Sequence, residues 1–372
     1  MMNKKKIGIL SMQRIKNYGS FLQAYGLRKL IEELGYEVQY VDYHVEEPVI
    51  KDSINGKNDK ISKALKTFEG DAPLVQKFQY IIHKKNFGKK YYPVLGLTEE
   101  PNYNPKLDTL VIGSDEVFNC IQSNKNVGYS LELFGKDNKA NKLITYAASF
   151  GNTTVEKLEK YNKKAEISEL LNKFDKISAR DSNTGKIVEE ISNQKVVYNL
   201  DPVLAYDYMN KCDEIPDIDV NEKYIIVYAY SNRISTDESK YIKKFAKKNN
   251  LKVYSIGGAQ KCADKFIDCS PFEVLGYFRK AEMVITDTFH GSIFSIIAKR
   301  NFVTLVRKSV GNAYGNEEKL TDLLKRVNLK DRITYNIEDI NSILDKKINY
   351  EKVEEILKEQ REISKKYLEE NL

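Results

Sequence analysis

Short apolar runs recur along this chain, each closed by small, polar or charged residues before a stretch of helical periodicity begins. Lys6–Met12 is the first such run. From about Ser20, residues Phe21, Leu22, Tyr25, Leu30, Ile31 and Leu34 fall at helical spacing. Gly35 marks the stop, because glycine tolerates the left-handed conformation in which helices end. Tyr36–Tyr43 then alternates and is rich in β-formers. Strand, helix and strand in that order imply a parallel pair, since parallel strands need a long crossover between them. Strand signals resume at Thr109–Ile112, Leu143–Ala148, Ile177–Ala179 and Val196–Leu200. A second series follows: strand Tyr224–Tyr230, helix Glu238–Lys248, strand Lys252–Ile256, helix Pro271–Arg279 and strand Met283–Thr286. The expected fold class is α/β, two Rossmann-like doubly wound domains facing a cleft.

A length of 372 residues supports the same division, since it exceeds what one hydrophobic core usually organises. The periodicity lapses between Asp201 and Asp217, where Asp201-Pro202 and Pro216-Asp217 disfavour helix. We therefore expect an N-terminal domain over 1–205, a C-terminal domain over 206–348, and a charged helix over 349–372. That helix carries Val353, Ile356, Leu357 and Ile363 on one side and is expected to pack back on the body. Residues 44–105 form a Lys-rich, helical insertion on the first domain, with Phe68, Phe78, Tyr80, Phe87, Tyr91 and Tyr92 along it. A solvated helix with a buried aromatic side explains such a stretch; a surface for a saccharide or a membrane is the functional alternative.

Composition excludes several classes. The net charge of +7 comes from 60 basic and 53 acidic residues spread along the chain, and no nucleic-acid-binding motif accompanies it, so no nucleic-acid partner is expected. The apolar run near the start, Ile7 to Leu10, is too short for a signal peptide. No later stretch approaches the roughly 20 apolar residues that span a bilayer. The expected location is cytoplasmic, with any membrane contact peripheral and at the inner face. Cys120, Cys212, Cys262 and Cys269 form no Cys-x-x-Cys pair and the chain has three histidines, so no metal site is expected.

Chemistry concentrates at the ends of the expected strands, where open parallel sheets bind ligands. Thr286-Asp287-Thr288-Phe289-His290-Gly291-Ser292 lies between an apolar strand and an apolar helix. Helix N-termini favour anions, and an imidazole can transfer a proton near neutral pH. A structural histidine capping the turn is the bland alternative. Asp287 either orients the ring or caps the helix, capping being favoured. Arg180, after the strand Ile177–Ala179, suits a phosphate or carboxylate; its alternative is a surface pair with Asp181. Asn17-Tyr18-Gly19-Ser20 and Gly113-Ser114-Asp115-Glu116 offer groups for sugar hydroxyls, although tight turns explain their glycines. Gly257-Gly258 is too short for a dinucleotide fingerprint.

Six segments, taken in order, resemble the polysaccharide pyruvyl transferase family: Asn17–Tyr25, Val111–Asp115, Ala179-Arg180-Asp181, Leu200-Asp201-Pro202, Ser270-Pro271-Phe272 and Thr286–Gly291. The resemblance implies a GT-B-like pair of Rossmann-like domains. It further implies transfer of pyruvate from phosphoenolpyruvate, a co-substrate with no further cofactor, to a saccharide diol, forming a cyclic ketal in cell-surface polysaccharide synthesis. A free and a lipid-linked acceptor both fit what the resemblance implies. In its terms His290, Arg180 and Asp115 are catalytic; Arg180, His290, Gly291, Ser292 and Thr288 bind the donor; Asn17, Tyr18, Gly19, Ser114, Asp115 and Glu116 bind the acceptor. Two positions depart from the family pattern. Glu116 stands where glutamine is frequent, and Thr288 where some members carry arginine, with Arg300 or Arg307 as candidates to compensate. The rivals are a nucleotide-sugar glycosyltransferase of GT-B type and a non-catalytic saccharide-binding protein on the same fold.

Overall fold

The computed structural model describes residues 4–50, 71–307 and 316–372. Phe68 and the rest of 51–70 lie outside them. The chain divides into two compact units. One comprises residues 1–52, 92–206 and 355–372, and the other 53–91 and 207–354.

The first unit carries a six-stranded sheet, all pairs parallel, in the order β2-β1-β3-β4-β5-β6. These strands are β1 Lys6–Leu10, β2 Glu37–Val41, β3 Thr109–Asp115, β4 Lys142–Ala148, β5 Ile177–Ala179 and β6 Val196–Tyr198. Their apolar runs are nearly continuous because both faces are covered. Helix α1, Tyr18–Glu33, connects β1 to β2 and ends at Gly35, whose φ of +89° supplies the expected stop. The helix begins two residues earlier than its apolar spacing suggests.

The second unit repeats the plan with the order β12-β11-β10-β7-β8-β9, again wholly parallel. Its strands are β7 Tyr224–Tyr228, β8 Lys252–Ile256, β9 Lys265–Phe266, β10 Met283–Thr286, β11 Asn301–Leu305 and β12 Ile333–Thr334. Counted within the unit this is the order 3-2-1-4-5-6 of dinucleotide-binding sheets, whereas the first unit begins 2-1-3-4-5 as in flavodoxin-like sheets. Both sheets therefore have the α/β, doubly wound class expected from the strand and helix alternation. The four cysteines are buried, and burial pushes the Cys120 and Cys262 thiols up to about 12.

The insertion over 44–105 does not group as a block with the first unit. Its described residues 71–91 belong with the second, and the helix Leu74–Tyr91, α2, shows why. Its Gln76 Nε2 donates to the Ala263 carbonyl at 3.1 Å, His83 Nδ1 lies 2.6 Å from Asp268 Oδ1, and the Tyr80 ring meets Phe266 edge-on. Residues 349–372 form one helix, Tyr350–Asn371. Its end is held in the first unit, where Ser364 Oγ accepts from Leu200 N and the Tyr367 hydroxyl donates to the Thr145 carbonyl at 2.8 Å.

Candidate functional site

In each sheet the strand order reverses once, and the loops on either side of that reversal open a crevice at the carboxyl ends of the strands. The first unit reverses between β1 and β3, the second between β7 and β10. Of the motif segments, Asn17–Tyr25, Val111–Asp115 and Thr286–Gly291 lie at these reversals, while Arg180, Asp201 and Ser270 follow β5, β6 and β9.

In the first unit Asn17 caps α1, its Oδ1 accepting from Ser20 N at 2.7 Å. Ser20 Oγ in turn donates to Asp115 Oδ2 at 2.9 Å. Asp115 ends β3 with φ +76°, and its Oδ1 accepts from the following amide, Glu116 N. Arg180, the first residue after β5, reaches both Asp115 Oδ1 at 3.4 Å and Asp201 Oδ2 at 3.1 Å. Burial pulls the Arg180 pKa down, but Asp115, Asp201, Asp181 and Glu116 together raise it further, so the guanidinium stays charged. Arg180 and Asp181 are both buried rather than at the surface. Asp181 instead caps helix α5, Ser182–Ile191, accepting from Thr184 N at 2.9 Å, and also accepts from Ser149 Oγ. Here α3 and α4 are Val155–Lys160 and Lys164–Leu171.

The acceptor set divides by exposure. Asn17, Asp115 and Glu116 are partly exposed, whereas Tyr18, Gly19 and Ser114 are buried. Tyr18 and Gly19 lie inside the first turn of α1 rather than in a loop. Ser114 Oγ donates to the Ala147 carbonyl, and its own carbonyl accepts from Ser11 Oγ, so it ties the sheet together. Gly113 is required by close packing: at φ +123° a Cβ would sit 2.2 Å from the Tyr146 carbonyl oxygen.

In the second unit the residues after β10 begin a helix, Phe289–Ile297. Thr288 is its cap, with Oγ1 accepting from Gly291 N at 2.9 Å, so the capping role expected of Asp287 falls one residue later. The cap also engages groups of the expected donor set. Gly291 N is committed to Thr288 Oγ1, Ser292 N to the Thr288 carbonyl, and Ser292 Oγ to Thr288 O and Thr304 Oγ1. These amides and hydroxyls hold the helix start, and Thr288, Gly291 and Ser292 are all buried. Gly291 is fixed by contact, since a Cβ would meet Thr286 Oγ1 at 2.1 Å. His290 stands in the first turn, partly exposed, with its ring beside Phe294 at a centroid distance of 6.0 Å.

Asp287 is fully buried, and neither carboxylate oxygen has a hydrogen-bond partner among the described residues. Its Oδ2 lies 3.6 Å from Arg233 Nη1. Burial raises its pKa to about 6, with Arg233 and Arg307 pulling in the opposite direction. Arg233 sits on the loop after β7, partly exposed, its guanidinium 5.1 Å from the Tyr230 ring centre. Arg307 follows β11 and grips Glu238 with both Nη atoms at 2.6 and 3.0 Å, while Nη2 donates to the Arg233 carbonyl. Burial raises the Glu238 pKa, but the Arg307 contact outweighs it and leaves the carboxyl below its usual value. Asn316 donates to the Asp287 carbonyl and accepts from Arg307 N. Three rim loops are thus tied together.

Arg300 does not join this cluster. Its Nε and Nη1 donate to the carbonyls of Ala298 and Ala281, and Ala281 precedes β10, at the end opposite His290. Arg307 remains at the rim. Two functional candidates escaped the sequence: Arg233, which follows an apolar strand at the switch point, and Asp201, which appeared there only as part of a motif.

Among solved structures, a UDP-N-acetylglucosamine 2-epimerase is similar over 100% of this chain and 95% of its own, at 10% identity and a TM-score of 0.51. An S. aureus MnaA structure with UDP is 11% identical with a TM-score of 0.48, covering 96% of this chain and 91% of that one. A mutant O-GlcNAc transferase of Thermobaculum terrenum is 14% identical with a TM-score of 0.42; 97% of this chain is covered, but the chain spans only 64% of that protein. At 10% identity the likeness to the first of these is one of fold. No curated protein matches the sequence. The family model for polysaccharide pyruvyl transferases matches residues 17–309, a span that includes Asn17, Asp115, Arg180, Asp201 and His290, and the chain belongs to that family.

Proposed function

We propose that the protein moves the pyruvyl group of phosphoenolpyruvate onto a saccharide diol, closing a cyclic ketal and releasing inorganic phosphate during cell-surface polysaccharide synthesis. The observation that carries this reading is His290. It is an imidazole in the first turn of a helix at a switch point, three residues after the Asp287 that lies near Arg233, in a chain of the pyruvyl transferase family.

His290 gives a proton to the terminal methylene carbon of the donor, which makes the central carbon electrophilic. One acceptor hydroxyl adds to that carbon and yields its proton to solvent. The second hydroxyl then displaces phosphate from the same carbon, its proton leaving with the phosphate, and the ring closes. General acid catalysis of this kind contributes about 10² to 10⁴ in rate. Arg180 was expected to bind the donor; its contacts with Asp115 and Asp201 support a positioning role, holding Asp115 for the acceptor. Arg233, with Arg307 behind it, takes the donor's anionic groups, a part that Gly291 and Ser292 cannot supply while they hold the helix cap. Arg233 is the better placed because its partner Asp287 is a poor hydrogen-bond match at 3.6 Å. Asn17, Asp115 and Glu116 meet the acceptor. A lipid-linked acceptor and peripheral contact with the inner face of the membrane fit the same reading.

The test is phosphate release from phosphoenolpyruvate by the purified protein, with galactose-, mannose- and N-acetylmannosamine-terminated acceptors and mass spectrometry of the product. Acceptor-dependent release with a matching ketal is the expected result. Turnover of nucleotide sugars alone would replace this reaction with glycosyl transfer, and saccharide binding without turnover of either donor would leave a binding protein.

A further inference from the structure

Glu238 lies outside every motif segment, yet two tasks meet on its carboxylate. The first is local. Ser235 caps the helix Thr236–Lys248 through a capping box, in which Ser235 Oγ accepts from Glu238 N at 3.2 Å and Glu238 Oε2 accepts from Ser235 N at 2.8 Å. The second task reaches across the rim. Arg307, two residues past β11, donates from Nη1 to Glu238 Oε1 at 2.6 Å and from Nη2 to Glu238 Oε2 at 3.0 Å, and Nη2 also donates to the Arg233 carbonyl at 3.3 Å. The backbone that carries Arg233 is therefore gripped at two points, the Arg233 carbonyl and the Ser235 amide, and both grips lead to one carboxylate. Ile234 between them is buried in the apolar core of the second unit, which pins the loop from its inner side. The Glu238 side chain is 13% exposed and that of Arg307 29%, so water and salt screen this bidentate pair less than they screen a surface ion pair.

We infer that Glu238 is a positioning residue for donor binding: through Arg307 and the Ser235 amide it fixes the backbone from which Arg233 reaches the donor's anionic groups. The inference rests on the reading that Arg233 takes those groups, and it gives the task of placing Arg233 to a helix cap on another element. A long side chain delivers its guanidinium only as accurately as its backbone is held, and small misplacements of a binding group are costly. The two tasks of Glu238 differ in what they require. A neutral amide oxygen serves the capping box as well as a carboxylate does, whereas the fork of Arg307 needs two acceptor oxygens. Glu238→Gln therefore keeps the cap and breaks the pair, because its amide nitrogen turns a donor towards Arg307. A residue that only starts a helix would tolerate this change; one that places Arg233 would not.

The test measures phosphoenolpyruvate affinity by titration calorimetry, and KM and kcat by phosphate release, on the full-length protein. Glu238→Gln should weaken phosphoenolpyruvate binding and raise its KM about fivefold, the scale of coupling within one salt-bridge network, while leaving kcat nearly unchanged. Arg307→Gln breaks the same pair from the other side and should reproduce that result, which keeps the measurement open if Glu238→Gln folds poorly. In an Arg233→Ala background neither change should weaken phosphoenolpyruvate binding further, because no guanidinium is left to place. Circular dichroism checks that each variant keeps its helices. If Arg233→Ala weakens phosphoenolpyruvate binding but Glu238→Gln and Arg307→Gln do not, this inference is overturned and the donor role of Arg233 stands. The same holds if Glu238→Gln weakens binding equally with and without Arg233, or lowers kcat with KM unaltered. Unchanged affinity in Arg233→Ala itself would instead overturn the donor role of Arg233, and this inference with it.

Discussion

The two sheet rims treat buried charge in opposite ways. In the first unit Asp115, Asp181 and Asp201 each accept hydrogen bonds, Arg180 lies among them, and Ser20 and Thr184 complete the network. In the second unit Asp287 is equally buried, yet its side chain accepts none from the described residues and its charge partner stands off at 3.6 Å. A satisfied network of this kind fixes geometry, and losing a member is costly. An unsatisfied carboxyl is a standing penalty that persists only where something other than stability maintains it. The difference teaches that the first rim is a satisfied network holding Arg180 between carboxylates, while the second keeps Arg233 at 3.6 Å from a carboxylate that accepts no hydrogen bond among the described residues.

Four measurements break or sharpen that contrast. The largest effect is expected from His290→Ala, which should lower turnover about 10² to 10⁴ with an unchanged melting curve; unchanged turnover would reduce the ring to a structural part. Arg180→Ala should cost about 3 to 5 kcal/mol in urea unfolding, because Asp201 would be left buried without its cation. If that loss is under about 1 kcal/mol, the first rim is no more rigid than an exposed ion pair.

Asp287→Asn should move stability the other way. The folded carboxyl is raised from 3.8 to about 6, so its stabilising proton is fully present below the unfolded value and is lost as pH rises through about 6. Above that pH the native protein carries a penalty of at most about 3 kcal/mol. The asparagine variant should therefore unfold at higher urea than the parent near neutral pH and show a flatter profile between pH 4 and 7, the window set by those two values. Equal profiles would mean that Asp287 is compensated. Smallest in stability is Arg233→Ala, expected to leave the melting temperature nearly unchanged while raising KM for phosphoenolpyruvate about tenfold, the scale of one charge-assisted hydrogen bond. A large fall in stability with unaltered KM would make Arg233 a scaffold residue like Arg180.

Much of the second rim was legible because its causes are local. The apolar run Met283–Thr286 forms β10 with the expected bounds, and the polar turn after it begins a helix holding His290 in its first turn. The exchange of roles between Asp287 and Thr288 was not legible, since both residue types cap helices and only the backbone path selects one. Arg180 was visible as a residue at a strand end. Its partners were not, because Asp201 and Asp115 lie 21 and 65 residues away in sequence. The insertion shows the same limit: its helix was recognisable from composition, but the unit that receives its buried side depends on Ala263 and Asp268, far along the chain.

By itself, then, the sequence determined the alternation of strand and helix, the parallel class of both sheets and the loops rich in functional side chains, all of which follow from short-range periodicity and turn chemistry. Tertiary structure alone decided the order of the strands. That order sets which loops become neighbours at the carboxyl rim, and so decides that Arg233 lies beside Asp287 and that Arg180 stands between two carboxylates. Such pairings are fixed by packing across many residues of intervening chain, where no local preference can specify them.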